Sequence, residues 1–328
     1  MSEKELLTVS NLKMYYPVRE RNKGGIFAKK QYVKAVDGVS FTVCEGQTFG
    51  IVGESGCGKT TTGKMIVKLL TPSEGSILYE GKDIFRLSRK DQAEMKKKIQ
   101  IIFQDPYSSL DPRFTCGRLI AEPLAIHRIG GADARREKVL ELMADVGLGS
   151  DVYGRFPHEF SGGQRQRIGV ARALALNPSL IVCDEPVSAL DVSIQAKILN
   201  LMQSLQDKYH LTYIFISHNL SVVKHFCDRI AVMYLGKIVE LADKNQLFRN
   251  FRHPYTDALF DAIPIPDPDQ KSMRNVLEGD IPSPLNPPSG CVFHTRCRHC
   301  GEICETRPPL LREIEPGHLV ACHVFGNH

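Results

Sequence analysis

The chain has 328 residues, 42% of them hydrophobic and 24% charged, and a formal net charge of +5. That length admits two domains, or one with a substantial attachment, and the composition is that of an ordinary globular protein. A mild charge without a dense Lys/Arg stripe gives nucleic-acid binding no footing, and apolar runs such as Leu180–Cys183 and Ile230–Val232 are too short to cross a bilayer. The opening Met1-Ser-Glu-Lys-Glu5 lacks the basic-then-apolar layout of a signal peptide. The expectation is a cytoplasmic protein whose membrane role runs through a partner.

Strand-like runs occupy residues 6–16 and 32–52, with a polar, basic loop at Arg19–Lys30 between them. A helix is predicted from Lys59 to Leu70, closed by Thr71-Pro72. Short strands near Gly75–Tyr79 and Ile99–Phe103 flank a charged helix containing Asp91–Lys98. The pattern turns helical from Arg118 to Leu148, and a further helix fits Gly162–Leu176, ended by Asn177-Pro178. Buried-strand signals follow at Leu180–Cys183 and Tyr213–Ile216, with an amphipathic helix near Ile194–Tyr209 between them. Alternation of this kind predicts an α/β fold with a parallel or mixed sheet covered by helices. Beyond residue 253 the prolines crowd (Pro254, Pro264, Pro266, Pro268, Pro282, Pro284, Pro287, Pro288), so a linker or loop-rich extension is expected there, without regular helix or central strand.

Gly53-Glu-Ser-Gly-Cys-Gly-Lys-Thr60 has the form of a phosphate-binding loop between a strand and a helix. Gly53, Ser55, Gly56, Cys57, Gly58 and Thr61 would wrap phosphates with backbone amides, Lys59 would neutralise β and γ charge, and the Thr60 hydroxyl would ligate magnesium. A second anion device lies about a hundred residues on: Ser161 and Gln164 form a capping box at a helix start, with Gly162 and Gly163 leaving amides bare. Four apolar residues from Leu180 end in Asp184 and Glu185, which would serve the magnesium shell and the attacking water respectively. Gln104 and His218, each at a strand end, are candidates for the metal and the γ-phosphate. Of ten cysteines, Cys44, Cys57, Cys116, Cys183 and Cys227 are dispersed and read as small buried hydrophobes. Cys291, Cys297, Cys300, Cys304 and Cys322 cluster near the end, which in a reducing compartment reads as metal binding.

The phosphate loop, Gln104, Ser161-Gly-Gly-Gln164, Asp184-Glu185, Ser188-Ala-Leu-Asp191 and His218 occur in the order found in the ATP-binding-cassette ATPases, and the chain resembles that family over residues 6–250. The resemblance implies a P-loop NTPase core with a helical signature subdomain at about 105–175, acting as one half of a head-to-tail dimer. The signature Ser161 and its glycines would contact ATP held by the opposite subunit, and Asp191 would cross the seam. An aromatic residue near the N-terminus would stack on adenine; Tyr16 fits best, with Tyr15 and Tyr32 as competitors.

A narrower likeness rests on Phe103-Gln-Asp-Pro-Tyr-Ser-Ser-Leu-Asp-Pro112, Arg252-His-Pro-Tyr-Thr256, Gly290-Cys291 and His294-Thr-Arg-Cys297, which resemble the ATPase subunits of oligopeptide and dipeptide importers. It implies an ATPase domain over 1–253 and a proline-rich, Cys-containing extension over 254–328. By that resemblance Cys291, Cys297, Cys304 and Cys322 would hold a four-iron, four-sulfur cluster. Cys300 has no counterpart and creates a Cys297-x-x-Cys300 spacing that zinc would accept. His294, His299, His318 and His323 read as surface residues rather than ligands. The implied partners are two membrane-spanning permease subunits, a second ABC ATPase subunit and, indirectly, an extracytoplasmic solute-binding protein, with the chain at the cytoplasmic face of the membrane. Nickel, glutathione or another small solute stands as an alternative cargo. A soluble cassette ATPase acting on nucleic acid through a zinc module stands as a rival of another class.

Overall fold

The computed structural model describes residues 4–18, 31–105, 107, 109–261 and 279–326. The basic loop expected at Arg19–Lys30 and the prolines at 264, 266 and 268 lie outside the described residues. The chain forms two compact units. Of the described residues, the helical unit gathers 44–48, 86–105, 107 and 109–217, and the loop unit gathers 5–18, 31–43, 49–85, 218–261 and 279–326.

In the helical unit three parallel strands, Ile99–Ile102, Leu180–Asp184 and Thr212–Ser217, pair in the register Ile99↔Leu180 and Leu180↔Thr212. Every residue of the last two strands is buried, which is why they read as unbroken apolar runs rather than alternating ones. The crossover helix Val192–Tyr209 buries Ile198, Met202 and Leu205, spaced four and three residues apart on one face. Asp191 caps its start by accepting from the Ile194 amide at 2.9 Å, and His210 ends it in the left-handed region at φ 53°. Helices Cys116–Ile126, Ala132–Asp145 and Gly162–Leu174 pack together.

The loop unit contains a sheet in the order Gln31–Cys44, Glu5–Val18, Glu74–Tyr79 and Lys82–Asp83, with Glu74–Tyr79 antiparallel to both of its neighbours. Its second sheet is mixed: Phe49–Val52 runs parallel to Arg229–Val232, and Arg229–Tyr234 turns back antiparallel as Lys237–Asp243. The extension then adds His318–Val320, paired as Glu240↔Val320, and Arg312–Glu315 outside it. These strands lie beyond the proline-dense stretch, for which no central strand is expected. The expectation that the proline-dense stretch holds no regular helix is corrected, because Pro254–Asp261 is helical. A proline at the first helical position costs nothing, since its missing N–H would have had no intrahelical partner. Among the described residues no helix is long and apolar enough to cross a membrane.

His253, only 1% exposed, offers Nδ1 to the Tyr255 amide at 3.1 Å and so caps this helix as a neutral imidazole. Burial pushes its pKa down to about 4, against a smaller opposing pull from Glu240. The unfolded chain binds that proton more readily, so the stabilisation is complete above pH ~6.5 and is lost as pH falls towards ~4, on the order of 3 kcal/mol in all. We expect the thermal midpoint to drop across this window and His253→Asn to flatten the drop. Identical pH profiles for the two proteins would show that His253 carries none of it.

Candidate functional site

The loop unit carries the phosphate loop. Strand Thr48–Val52 ends at Gly53, whose φ of 150° and surroundings admit no side chain: a Cβ there would lie 2.1 Å from the Met233 carbonyl oxygen. Gly58, at φ 107°, is equally constrained, with a Cβ 2.3 Å from the Ala35 carbonyl oxygen. Gly56 faces open space. Helix Lys59–Ile66 starts directly after the loop and presents its positive end to it, with Thr60 and Thr61 half-buried in its first turn. Lys59 is buried, and its Nζ donates to the carbonyls of Gly53 at 2.8 Å and Glu54 at 2.9 Å. Burial raises the Cys57 thiol, so Cys57 packs rather than reacts.

Among the adenine candidates, the Tyr15 hydroxyl donates to Asp37 and its ring lies 5.7 Å from the Lys34 ammonium. Tyr16 is half-buried on the same strand and Tyr32 is exposed. His218 is exposed, one residue before Asn219, which caps helix Leu220–Phe226 by accepting from the Ser221 amide at 3.1 Å.

The helical unit carries the acidic pair. Asp184 is buried at the end of its strand. Glu185 follows in the left-handed region at φ 48°, a conformation that costs a non-glycine residue energy and is common at working sites. Its carboxylate accepts from the Gln104 amide at 2.9 Å, so two of the expected site residues meet directly. Ser161 and Gln164 form the predicted capping box, the Ser161 amide donating to Gln164 Oε1 at 3.0 Å and Oγ accepting from the Gln164 amide at 3.4 Å. The glycines between them have a second reason, absent from the sequence reading. A Cβ on Gly163 would sit 2.6 Å from Ile194 Cγ2, and one on Gly162 3.3 Å from Leu190. The signature turn is thus seated on the segment that carries Asp191. Beside Gln104, a groove of about 240 Å³ runs between Phe103, Leu110, Pro123, Ile126 and Ala173. Its rim carries the exposed Phe103 and Ile126.

The cysteine cluster requires a correction. Among the described residues, which include Cys291, Cys297, Cys300, Cys304 and Cys322, no group of three or more Cys, His, Asp or Glu is placed to hold a metal ion. Neither the iron–sulfur cluster nor zinc is supported. Burial pushes the Cys291 thiol up to about 11 and raises Cys297 and Cys322 as well, and neighbouring thiols push the same way. What joins these segments is backbone: the Cys291 amide donates to the Cys304 carbonyl at 2.7 Å. His318 is a second correction. It is fully buried rather than a surface residue, and its Nε2 donates to Glu240, also fully buried, at 2.8 Å.

Comparison with known proteins gives two family matches, the ABC transporter family over residues 36–188 and the oligopeptide/dipeptide transporter C-terminal region over residues 239–304. The chain is 52% identical to the oligopeptide transport ATP-binding protein AppF of Bacillus subtilis, over 99% of this chain and 98% of that relative. It is 49% identical to the dipeptide transport ATP-binding protein DppF of Haemophilus influenzae, over 97% and 96% respectively. Among solved structures, a dimeric post-hydrolysis state of the ATP-binding cassette MJ0796 bound to ADP and Pi matches with a TM-score of 0.63 at 28% identity, covering 73% of this chain and 99% of that one.

Proposed function

The chain belongs to the ABC transporter family, in the branch that carries the oligopeptide/dipeptide transporter C-terminal region, and from that premise we propose that it is the ATP-hydrolysing subunit driving di- or oligopeptide import. It would work at the cytoplasmic face of the membrane, paired with a second ABC ATPase subunit beneath two membrane-spanning permeases and supplied by an extracytoplasmic solute-binding protein. The observation that carries the cargo is similarity along 99% of the chain, extension included, to an oligopeptide transport ATP-binding protein. Residues 1–253 would form the ATPase and residues 254–328 the branch-specific extension.

In this reading the loop amides of Gly53–Gly58 and the Lys59 ammonium bind the phosphates, and Tyr16 supports the adenine. Thr60, Gln104 and Asp184 supply hard oxygen donors of the type Mg²⁺ prefers, and the ion would neutralise phosphate charge. Glu185 takes a proton from the attacking water, His218 donates to the γ-phosphate, and Ser161, Gly162, Gly163 and Gln164 face the nucleotide of the partner ATPase, with Asp191 at the seam. The apolar groove beside Gln104 is suited to a short permease helix, since exposed apolar residues rimming a concavity mark contact surfaces.

Reconstitution tests the cargo. In proteoliposomes holding the permeases and both ATPases, peptide-loaded binding protein should raise ATP turnover several-fold over unloaded binding protein. Stimulation by nickel- or glutathione-loaded binding protein, with none by peptide, would reassign the cargo.

A further inference from the structure

Two motifs from the extension side of the chain, Arg252–Thr256 and His294–Cys297, have no part in the ATPase mechanism above, yet both end on one residue of the phosphate loop. Arg296 makes a two-pronged ion pair with Glu54, Nη1 to Oε2 at 2.9 Å and Nη2 to Oε1 at 3.3 Å. The side chains are 5% and 22% exposed. The Glu54 amide donates to the Tyr255 hydroxyl at 2.9 Å, and the Glu54 carbonyl accepts from Lys59 at 2.9 Å. Every polar group of Glu54 is therefore held, its side chain and amide by residues 255 and 296 and its carbonyl by the phosphate-binding lysine. Phe293 packs edge-on against Tyr234 at 5.3 Å and tilted on Tyr255 at 5.5 Å, tying the two grips into one aromatic cluster. Ile281 and Pro284 then wall a pocket of about 230 Å³ whose other side is Glu54–Cys57.

A carboxylate in a phosphate loop has the same sign of charge as the ligand. Left unpaired in a half-buried loop, Glu54 would oppose triphosphate binding across a short, poorly screened distance. Bidentate pairing with a guanidinium cancels that charge and fixes the plane of the carboxylate, which a lysine would not do. We infer that the C-terminal extension completes the nucleotide site: Arg296 is a positioning residue that, with Tyr255, holds the phosphate loop through Glu54 and neutralises it for ATP. The bland reading, a staple fastening the extension to the core, makes a different forecast, because a staple is indifferent to the sign of charge left behind.

The test is a charge cycle in the full-length chain, read as the dissociation constant of a fluorescent ATP analogue at low and high salt. Arg296→Gln leaves one extra negative charge and should weaken binding about tenfold. Glu54→Gln leaves one extra positive charge and keeps an oxygen for Arg296, so affinity should stay equal or rise up to about threefold. The double variant restores the wild-type charge and should return to within about twofold of wild type, and all differences should shrink at high salt. A double variant as weak as Arg296→Gln, or Arg296→Gln binding like wild type, overturns the inference. Should Arg296→Gln fail to fold, Glu54→Gln decides alone, and clearly weaker binding than wild type overturns it. The titration needs neither permeases nor cargo, so its outcome is separate from the transport reading.

Discussion

Glu185→Gln should retain ATP binding and lose hydrolysis by about a thousandfold, within the range that a positioned general base contributes together with its fixed geometry. Binding should survive because Glu185 lies outside the phosphate loop, whose amides and Lys59 are the proposed grip on the phosphates. Folding survives because the exchanged side chain is isosteric and its remaining oxygen can still accept from Gln104, as Oε2 does at 2.9 Å. The backbone cost of φ 48° is common to both residues, so the substitution changes proton affinity and little else. With hydrolysis stopped and ATP bound, the nucleotide-dependent dimer should persist and elute at double mass in size exclusion. The measurements are single-turnover phosphate release and elution volume with and without ATP. Hydrolysis within tenfold of wild type would remove Glu185 from the role of base. Gln104→Ala adds a second reading: it frees the Glu185 carboxylate from its amide partner, and should slow hydrolysis less than the loss of the carboxylate itself.

What the sequence made legible follows the range of the interactions concerned. The capping box at Ser161 and Gln164 was readable because its two hydrogen bonds join residues three apart. The phosphate loop was readable because its glycines, lysine and threonine are contiguous, although their steric partners, Met233 and Ala35, were not. The hairpin Arg229–Asp243 escaped notice for two reasons. Its strands are almost wholly buried and show no alternation, and its turn places Leu235 at φ 42° before Gly236, where an Asn or Asp would have announced it. The helix at Pro254 was hidden by proline density, a signal that position within the helix reverses. The cysteine spacing was over-read, since among the described residues no group of three or more ligand-type side chains is placed to hold a metal ion. His318 and Arg296 were invisible in principle, because their partners Glu240 and Glu54 lie 78 and 242 residues away.

The largest stability effect should come from one of those long-range partners, Glu240. It sits fully buried on the strand Lys237–Asp243, and its carboxylate accepts from the Arg252 amide at 2.7 Å, the His253 amide at 3.0 Å and His318 Nε2 at 2.8 Å. Glu240→Ala would remove the acceptor from two amides, that of Arg252 part-buried and that of His253 buried, and from a buried imidazole N–H. Removing one partner of such a buried network costs about 3–5 kcal/mol, far more than the intact network contributes over an apolar replacement. For a chain of this size the thermal midpoint should fall on the order of 10 °C. Glu240→Gln keeps one acceptor oxygen but turns an amide donor towards other donors, so it should recover only part of the loss. The stranded donors belong to the segment 252–253 and the strand His318–Val320, so loosening should begin in the extension and show as early proteolytic cleavage there. Because that region also carries Tyr255 and Arg296, ATP affinity should decline with it, before the bulk of the chain melts. An unchanged midpoint would mean that the pocket recloses around alanine, and the extension would then owe its attachment to the aromatic cluster at Phe293 and the backbone pairing of Glu240 with Val320 instead.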